Sequence, residues 1–193
     1  MLLGAGMVGS IGSSVTLARS QPQYVTNPET YDTVAINSPT RQLAFAALCG
    51  SFGLMSSPLL GYISYTNPSI IGAALICSTG TMAGASAYAL TTKKDVTVYG
   101  SALTGGLFGV IGLSLGGMAA GYMGYPSLAH SLHSFVSYGS VLVFTGLTAY
   151  DTQVALQMHR IGQPDHLGAA AQLFMNFANL MQAFTSIFYS NDQ

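Results

Sequence analysis

Asp151 directly follows a long apolar segment, which makes it the residue best placed for ion or proton chemistry inside a membrane. From Ser131 to Tyr150 there is no Asp, Glu, Lys or Arg, and at 1.5 Å per residue this run can cross the ~30 Å hydrocarbon core of a bilayer. A carboxylate costs about 2.5–3.5 kcal/mol at the centre of a membrane helix and less near its end. Asp151 is therefore either an interface residue at a helix end or a tolerated functional group.

A second set of polar groups lies further along the chain. Gln172, Asn176 and Asn179 recur at i, i+4 and i+7, so on a helix their amides share one face. We expect this face to point into the bundle, with Gln153 as a further amide near Asp151. The amides can act as hydrogen bonds between helices, at about 0.6 kcal/mol each, or they can support a site at Asp151.

Other candidates for chemistry are few. His130 and His133 stand at i, i+3, but no Cys, Asp or Glu accompanies them, so no metal site is expected. His159 and His166 flank a polar loop. No Ser/His/Asp arrangement or nucleophile elbow is present. The sequence therefore predicts no catalytic residues, no enzyme activity and no resident cofactor.

The composition sets the class of protein that must position these groups. Only 6% of the residues are charged and the mean hydropathy is +0.46, whereas a soluble domain has about 25% charged residues. The net charge of −1 excludes a nucleic-acid surface, which needs clustered Lys and Arg. We predict one all-α domain over residues 1–193, a polytopic membrane bundle of six transmembrane helices at about 1–18, 43–63, 69–90, 96–121, 130–150 and 167–188.

The basic residues predict how this bundle lies in the membrane. With six helices, all of the loops that carry Lys or Arg fall on one side. The residues are Arg19, Arg41, Lys93, Lys94 and Arg160. The positive-inside rule assigns that side to the cytoplasm or the mitochondrial matrix, and both chain ends to the other face.

Glycine pairs predict which helices approach closely. Small residues four positions apart let helix backbones meet where lipid provides no hydrophobic drive for association. The pairs are Gly80 with Gly84, Gly105 with Gly109, Gly112 with Gly116, and Gly117 with Gly121. We therefore expect the third and fourth helices to be central in the bundle.

Several short motifs resemble one membrane-protein family. They are Tyr150-Asp151-Thr152-Gln153, Asp165-His166, Leu173-Phe174-Met175-Asn176-Phe177 and Asn67-Pro68-Ser69-Ile70. The chain resembles the Bax inhibitor-1 (transmembrane BAX inhibitor motif) family over most of its length. Ser137-Tyr138-Gly139 is most similar to its mitochondrial branch, the growth-hormone-inducible transmembrane proteins.

The resemblance implies a seven-helix fold and a pH-sensitive Ca²⁺ leak or Ca²⁺/H⁺ exchange. It also implies that the aspartate matching Asp151 shares a proton with a second aspartate on the last helix, because two close carboxylates cannot both ionise cheaply. Asn176 stands at the matching position here, and Gln172 lies one turn earlier. We expect proton coupling to be weakened, and the family's first helix to be lacking.

Two interpretations remain open. In the first, the chain is a Bax inhibitor-1-like leak or exchanger for Ca²⁺ in which Asp151 still titrates. In the second, it is a degenerate structural subunit of a larger complex, such as a respiratory complex of the mitochondrial inner membrane. The mitochondrial inner membrane is the favoured location, with the endoplasmic reticulum or another membrane as the alternative. In either case the partners are lipid and other membrane subunits that bind through the intramembrane surface.

Overall fold

A computed structural model describes residues 2–28 and 33–192, with side chains from residue 4 onward. The elements, in chain order, are α1 (Leu2–Arg19), β1 (Gln23–Thr26), β2 (Thr33–Ile36), α2 (Pro39–Thr66), α3 (Pro68–Thr91), a 3₁₀ turn (Val96–Tyr99), α4 (Gly100–Tyr122), α5 (Pro126–Arg160) and α6 (His166–Asn191). The described chain is thus mainly helical, as the sequence predicts.

The fifth helix is longer than expected, because it continues to Arg160. The prediction that it ends at Tyr150 is wrong, and Asp151 lies inside α5, more than two turns before its end. A charged residue marks where hydropathy falls, but it does not stop a helix. Instead, α5 is terminated by Gly162, which has a φ of 72°. The amides of Gly162 and Gln163 donate to the carbonyls of His159 and Met158, respectively, which is the pattern of a Schellman cap.

The segment between α1 and α2 also differs from the expected loop. β1 and β2 pair antiparallel, with Gln23 opposite Ile36 and Thr26 opposite Thr33. Tyr, Val, Thr and Ile favour such strands. The predicted fourth helix also differs at its start, because a 3₁₀ turn precedes α4. In this turn the Thr97 amide donates to Asp95 Oδ1 over 2.9 Å.

Four stretches are long and apolar enough to cross a membrane. They are Pro39–Thr66, Pro68–Thr91, Val96–Tyr122 and Pro126–Arg160. Among the described residues, α1 and α6 do not reach the same hydropathy. The side-chain amides of α6 lower its hydropathy, so an all-α membrane protein is supported while a count of six spans stays a prediction.

The chain divides into two compact units. The first comprises Met1–Tyr62 and Asp151–Met175, and the second Ile63–Tyr150 and Asn176–Gln193. In the first unit, Leu17 of α1, Leu48 of α2 and Ala171 of α6 are buried together. The rings of Phe52 and Phe174 meet edge to face at 5.9 Å, so α2 and α6 pack directly.

In the second unit, α4 and α5 run antiparallel with backbones brought close by glycine. A Cβ added at Gly106 would lie 3.0 Å from Cγ2 of Val143, and one at Gly146 would lie 2.5 Å from Cδ2 of Leu103. The same register continues towards the end of α4 and the start of α5, where Gly117 faces Leu132 and Gly121 faces Ala129. The two helices therefore stay close along most of α4.

Of these four glycines, the sequence spacing selected Gly117 and Gly121. A Cβ would meet no atom within 4 Å at Gly80, Gly84, Gly105, Gly109 or Gly112, and at Gly116 it would only touch Leu132 at 4.0 Å. Close helix packing at the first five therefore stays a prediction. Spacing of four identifies residues that share a face, but not the face that meets a neighbouring helix. On α3 the buried small residues are Ala85 and Ala89, which pack with Ala149.

Candidate functional site

A buried ion pair joins the start of α2 to the start of α6 in the first unit. Nη2 of Arg41 lies 2.7 Å from Oδ2 of Asp165, and the side chains of Arg41 and Asp165 are 2% and 27% exposed. Its two members lie far apart in the sequence, and neither is among the site residues predicted from residue type and spacing. Arg41 is the most buried charged residue in the described part of the chain.

Helix starts position both members of the pair. Arg41 lies in the first turn of α2, its backbone amide bonds to the carbonyl of Ser38 over 3.0 Å, and its Nη1 donates to Oδ1 of Asn37 over 2.7 Å. Asp165 immediately precedes α6 and accepts from the Gly168 amide through Oδ1 over 2.9 Å, which is the bond of an N-cap. Each oxygen of the carboxylate therefore has its own donor.

The environment of Asp165 favours its charged form. Burial opposes the charge, but hydrogen bonds from Arg41 and from the Gly168 amide, with the charges of Arg41 and His166, outweigh burial. The pKa of the carboxyl consequently lies below its ordinary value of 3.8. At neutral pH the pair is ionic, and removing either partner would leave the other charge poorly compensated.

One donor of Arg41 remains unmatched. Its Nε is buried and has no hydrogen-bond partner among the described residues. Because an arginine in the first turn also meets the positive end of the helix dipole, the guanidinium depends on its two bonded acceptors, Asn37 and Asp165. A cation at a helix start is itself a sequence signal that a carboxylate partner should be sought elsewhere.

The hairpin formed by β1 and β2 contacts the loop between α5 and α6 in the first unit. The hydroxyl of Tyr24 lies 3.4 Å from the carbonyl oxygen of Gln163, and a Cβ at Gly162 would lie 3.9 Å from Oγ1 of Thr33. Both hairpin strands therefore contact the loop between α5 and α6, close in sequence to Asp165.

The residues selected from the sequence have mixed environments. Asp151 is half-buried inside α5, and Gln153 is buried at 8% exposed. On α6, Asn176 is buried at 5% exposed and Asn179 is half-buried, whereas Gln172 is exposed. The three amides of α6 thus do not share one buried environment.

The expected pairing of Asp151 with Asn176 stays a prediction, because the two belong to different compact units. Within the continuous α5, Asp151 does not face the negative end of the helix dipole, which acts only within the last turn.

Comparison with known proteins identifies a family. Residues 2–193 match the family described as "Inhibitor of apoptosis-promoting Bax1". An uncharacterized protein of Caulobacter vibrioides is 32% identical over 136 residues, which cover 67% of this chain and 51% of that protein. No solved structure matches the chain.

Two named relatives come from Escherichia coli strain K12. The inner membrane protein YbhL is 31% identical over 135 residues, covering 66% of this chain and 54% of YbhL. YccA, described as a modulator of FtsH protease, is 28% identical over 159 residues, covering 82% of this chain and 67% of YccA. The chain therefore spans about half to two thirds of the length of these relatives.

Proposed function

The chain belongs to the family of inhibitors of apoptosis-promoting Bax1, and from this membership we propose that it is a multi-pass membrane protein whose pH-sensitive Ca²⁺ leak or Ca²⁺/H⁺ exchange is weakened. The observation that supports this proposal is that α6, from His166 to Asn191, has no acidic residue. The resemblance to the family places its second aspartate at Asn176, which is a buried asparagine here.

The chemistry behind this proposal is the sharing of a proton between carboxylates. Two close carboxylates raise one pKa towards the physiological range, because they cannot both ionise cheaply. An amide can donate a hydrogen bond to Asp151, but it adds no like charge and takes up no proton. One carboxylate also supplies few of the six to eight oxygen ligands that Ca²⁺ takes.

Ca²⁺ flux into proteoliposomes across a pH series tests the proposal. We expect a weak flux with little pH dependence for the wild type, and a steeper dependence for Asn176→Asp, because this variant restores the second carboxylate. Asn179→Asp is the matched control, since it adds a carboxylate on the same helix away from the family position. A steep pH-dependent leak in the wild type that Asp151→Asn abolishes would contradict the weakened activity.

We also propose that α1 and α6 cross the membrane with the four more apolar stretches, giving six spans with every basic residue on one side. Single cysteines at Ser20 and Gly162, in a background in which Cys49 and Cys77 are replaced, should react with an impermeant reagent from one side. A cysteine at Thr66 should react from the other side. Labelling of all three from the same side would exclude this topology.

A second candidate is a role as a partner of other membrane proteins. It is supported by the open glycines of α4, at Gly105, Gly109 and Gly112, which suit close approach by a foreign helix. The relative YccA carries the name of a modulator of a protease. A respiratory complex of the mitochondrial inner membrane is a narrower form of this proposal. Purification from native membranes in mild detergent should then yield a copurifying membrane protein that Gly109→Leu releases.

A further inference from the structure

The loop between α5 and α6 brings together two histidines that the proposed function does not use. The rings of His159 and His166 have centroids 6.5 Å apart and are tilted by 47°. Both side chains are exposed. We propose that this pair binds one divalent transition-metal ion of the Zn²⁺ and Cu²⁺ class, which joins the end of α5 to the start of α6.

The backbone on both sides of the pair is already fixed. His159 lies in the last turn of α5, and its carbonyl accepts the Gly162 amide over 3.1 Å in the helix cap. His166 is the first residue of α6, directly after Asp165, which is held by Arg41 and by the Gly168 amide. Ion binding therefore has to order mainly two side chains, and the entropic cost of forming the site is reduced.

The ring geometry is close to what a tetrahedral ion requires. Zn²⁺ binds imidazole nitrogens at about 2.0–2.1 Å, so two nitrogens on one tetrahedral ion lie about 3.4 Å apart. Ion binding therefore requires that rotation of the two exposed side chains about their χ angles brings one nitrogen of each ring to this separation. Two water molecules would complete four-coordination, as expected for an exposed site with two protein ligands.

The choice of metal follows from the ligands. Neutral imidazole suits Zn²⁺, Cu²⁺ and Ni²⁺, whereas Ca²⁺ and Mg²⁺ prefer oxygen. The Asp165 carboxylate is occupied by its two donors, and no group of three or more His, Cys, Asp or Glu that could hold a metal occurs among the described residues. The site is thus a two-histidine site. Arg160 follows His159 but projects about 100° away around the helix, which limits its repulsion of the ion.

The spacing of His159 and His166 in the sequence does not predict this site. Histidines at i, i+3 or i, i+4 on one helix are recognisable from spacing, and His130 with His133 fits that pattern. His159 and His166 are separated by a helix end and a turn, so only the fold brings their rings together.

Titration of the purified, tag-free chain in detergent with Zn²⁺ alone and with Cu²⁺ alone tests the proposal. We expect one ion per chain by calorimetry, and at least a tenfold loss of affinity in His159→Ala and in His166→Ala. The double variant His130→Ala/His133→Ala is the matched control and should bind as the wild type does. His159→Cys should retain Zn²⁺ binding, because a thiolate is also a zinc ligand.

A measurement on the wild type covers the case in which a histidine variant fails to fold. Electron paramagnetic resonance of the bound Cu²⁺ should show two imidazole nitrogens. A spectrum with one imidazole or none would overturn the proposal. So would unchanged affinity in the folded His159→Ala variant, or loss of binding in the His130/His133 control.

Discussion

The start of α2 is joined to the start of α6 by one buried ion pair, whereas α4 and α5 are joined along their length by glycine contacts. In the first region, Arg41 and Asp165 carry opposite charges 2.7 Å apart. In the second, Gly106 and Gly146 let Val143 and Leu103 approach the neighbouring backbone. The first region adds one strong polar contact to its apolar packing, whereas the second distributes its stabilisation over many weak contacts.

The difference predicts different responses to mutation. Breaking a buried pair by removing one partner leaves a charge that water cannot reach, and this typically costs 3–5 kcal/mol. Replacing both partners is often much less harmful. Adding volume where two helices touch costs about 1–3 kcal/mol, and neighbouring contacts can share the adjustment. Substitutions should thus have larger effects at the ion pair than at any single glycine.

The largest effect is expected from Asp165→Asn. This change removes the charge that compensates Arg41 but keeps a side chain that can cap α6. We expect the free energy of unfolding in detergent to fall by about 3 kcal/mol, the lower end of the usual range because Asp165 is partly exposed. The double variant Arg41→Met/Asp165→Asn is the control and should be more stable than Asp165→Asn alone. A loss below about 1 kcal/mol in Asp165→Asn would show that the pair contributes little.

An intermediate effect is expected from Gly106→Val, with Gly105→Val as its neighbouring control. A Cβ at Gly106 already lies 3.0 Å from Cγ2 of Val143, while one at Gly105 meets nothing within 4 Å. Both changes alter helix propensity equally, so their difference isolates packing against α5. We expect Gly106→Val to be less stable by about 1–3 kcal/mol in denaturant unfolding. Equal stability of the two variants would rule out the α4–α5 register described above.

The smallest effect on stability is expected from lowering the pH. The folded-state pKa of Asp165 lies below 3.8, so the charged form stabilises the fold. That contribution is complete above pH 3.8 and is lost as the pH falls through the lower folded-state value. The stability gap between the wild type and Asp165→Asn should therefore be constant near neutral pH and narrow below pH 3.8.

Asp95 provides the control for this pH series. Hydrogen bonds from Thr97 also lower its pKa, but it is fully exposed. Asp95→Asn should change stability less than Asp165→Asn does at every pH. A gap between the wild type and Asp165→Asn that widens in acid would mean that the sign of the pKa shift is wrong.

The number and approximate positions of the helices could be predicted from the sequence because hydropathy is summed over many residues. The scarcity of charge required membrane helices, and Pro68, Pro126 and Gly162 are local signals that depend little on distant contacts. The end of α5 was misplaced because Asp151 was taken as a boundary. The hairpin was missed because two four-residue strands give a weak periodic signal.

The candidate sites were harder to predict. Asp151 and the amides of α6 could be selected from residue type and spacing alone. The ion pair of Arg41 and Asp165 could not, although an arginine at a helix start and an aspartate before a helix each gave a partial signal. The glycine pairs show a related limit, since spacing gives a face without its partner.

The sequence by itself determined the class of protein, most of the helical segments and the family, because each of these depends on composition or on residues close together in the chain. Only the tertiary structure decided that Arg41 meets Asp165, that Gly106 rather than Gly105 meets α5, and that His159 lies beside His166. These contacts join residues whose spacing follows no helical period. They depend on how far each helix extends and on which face it presents, and both are set by packing.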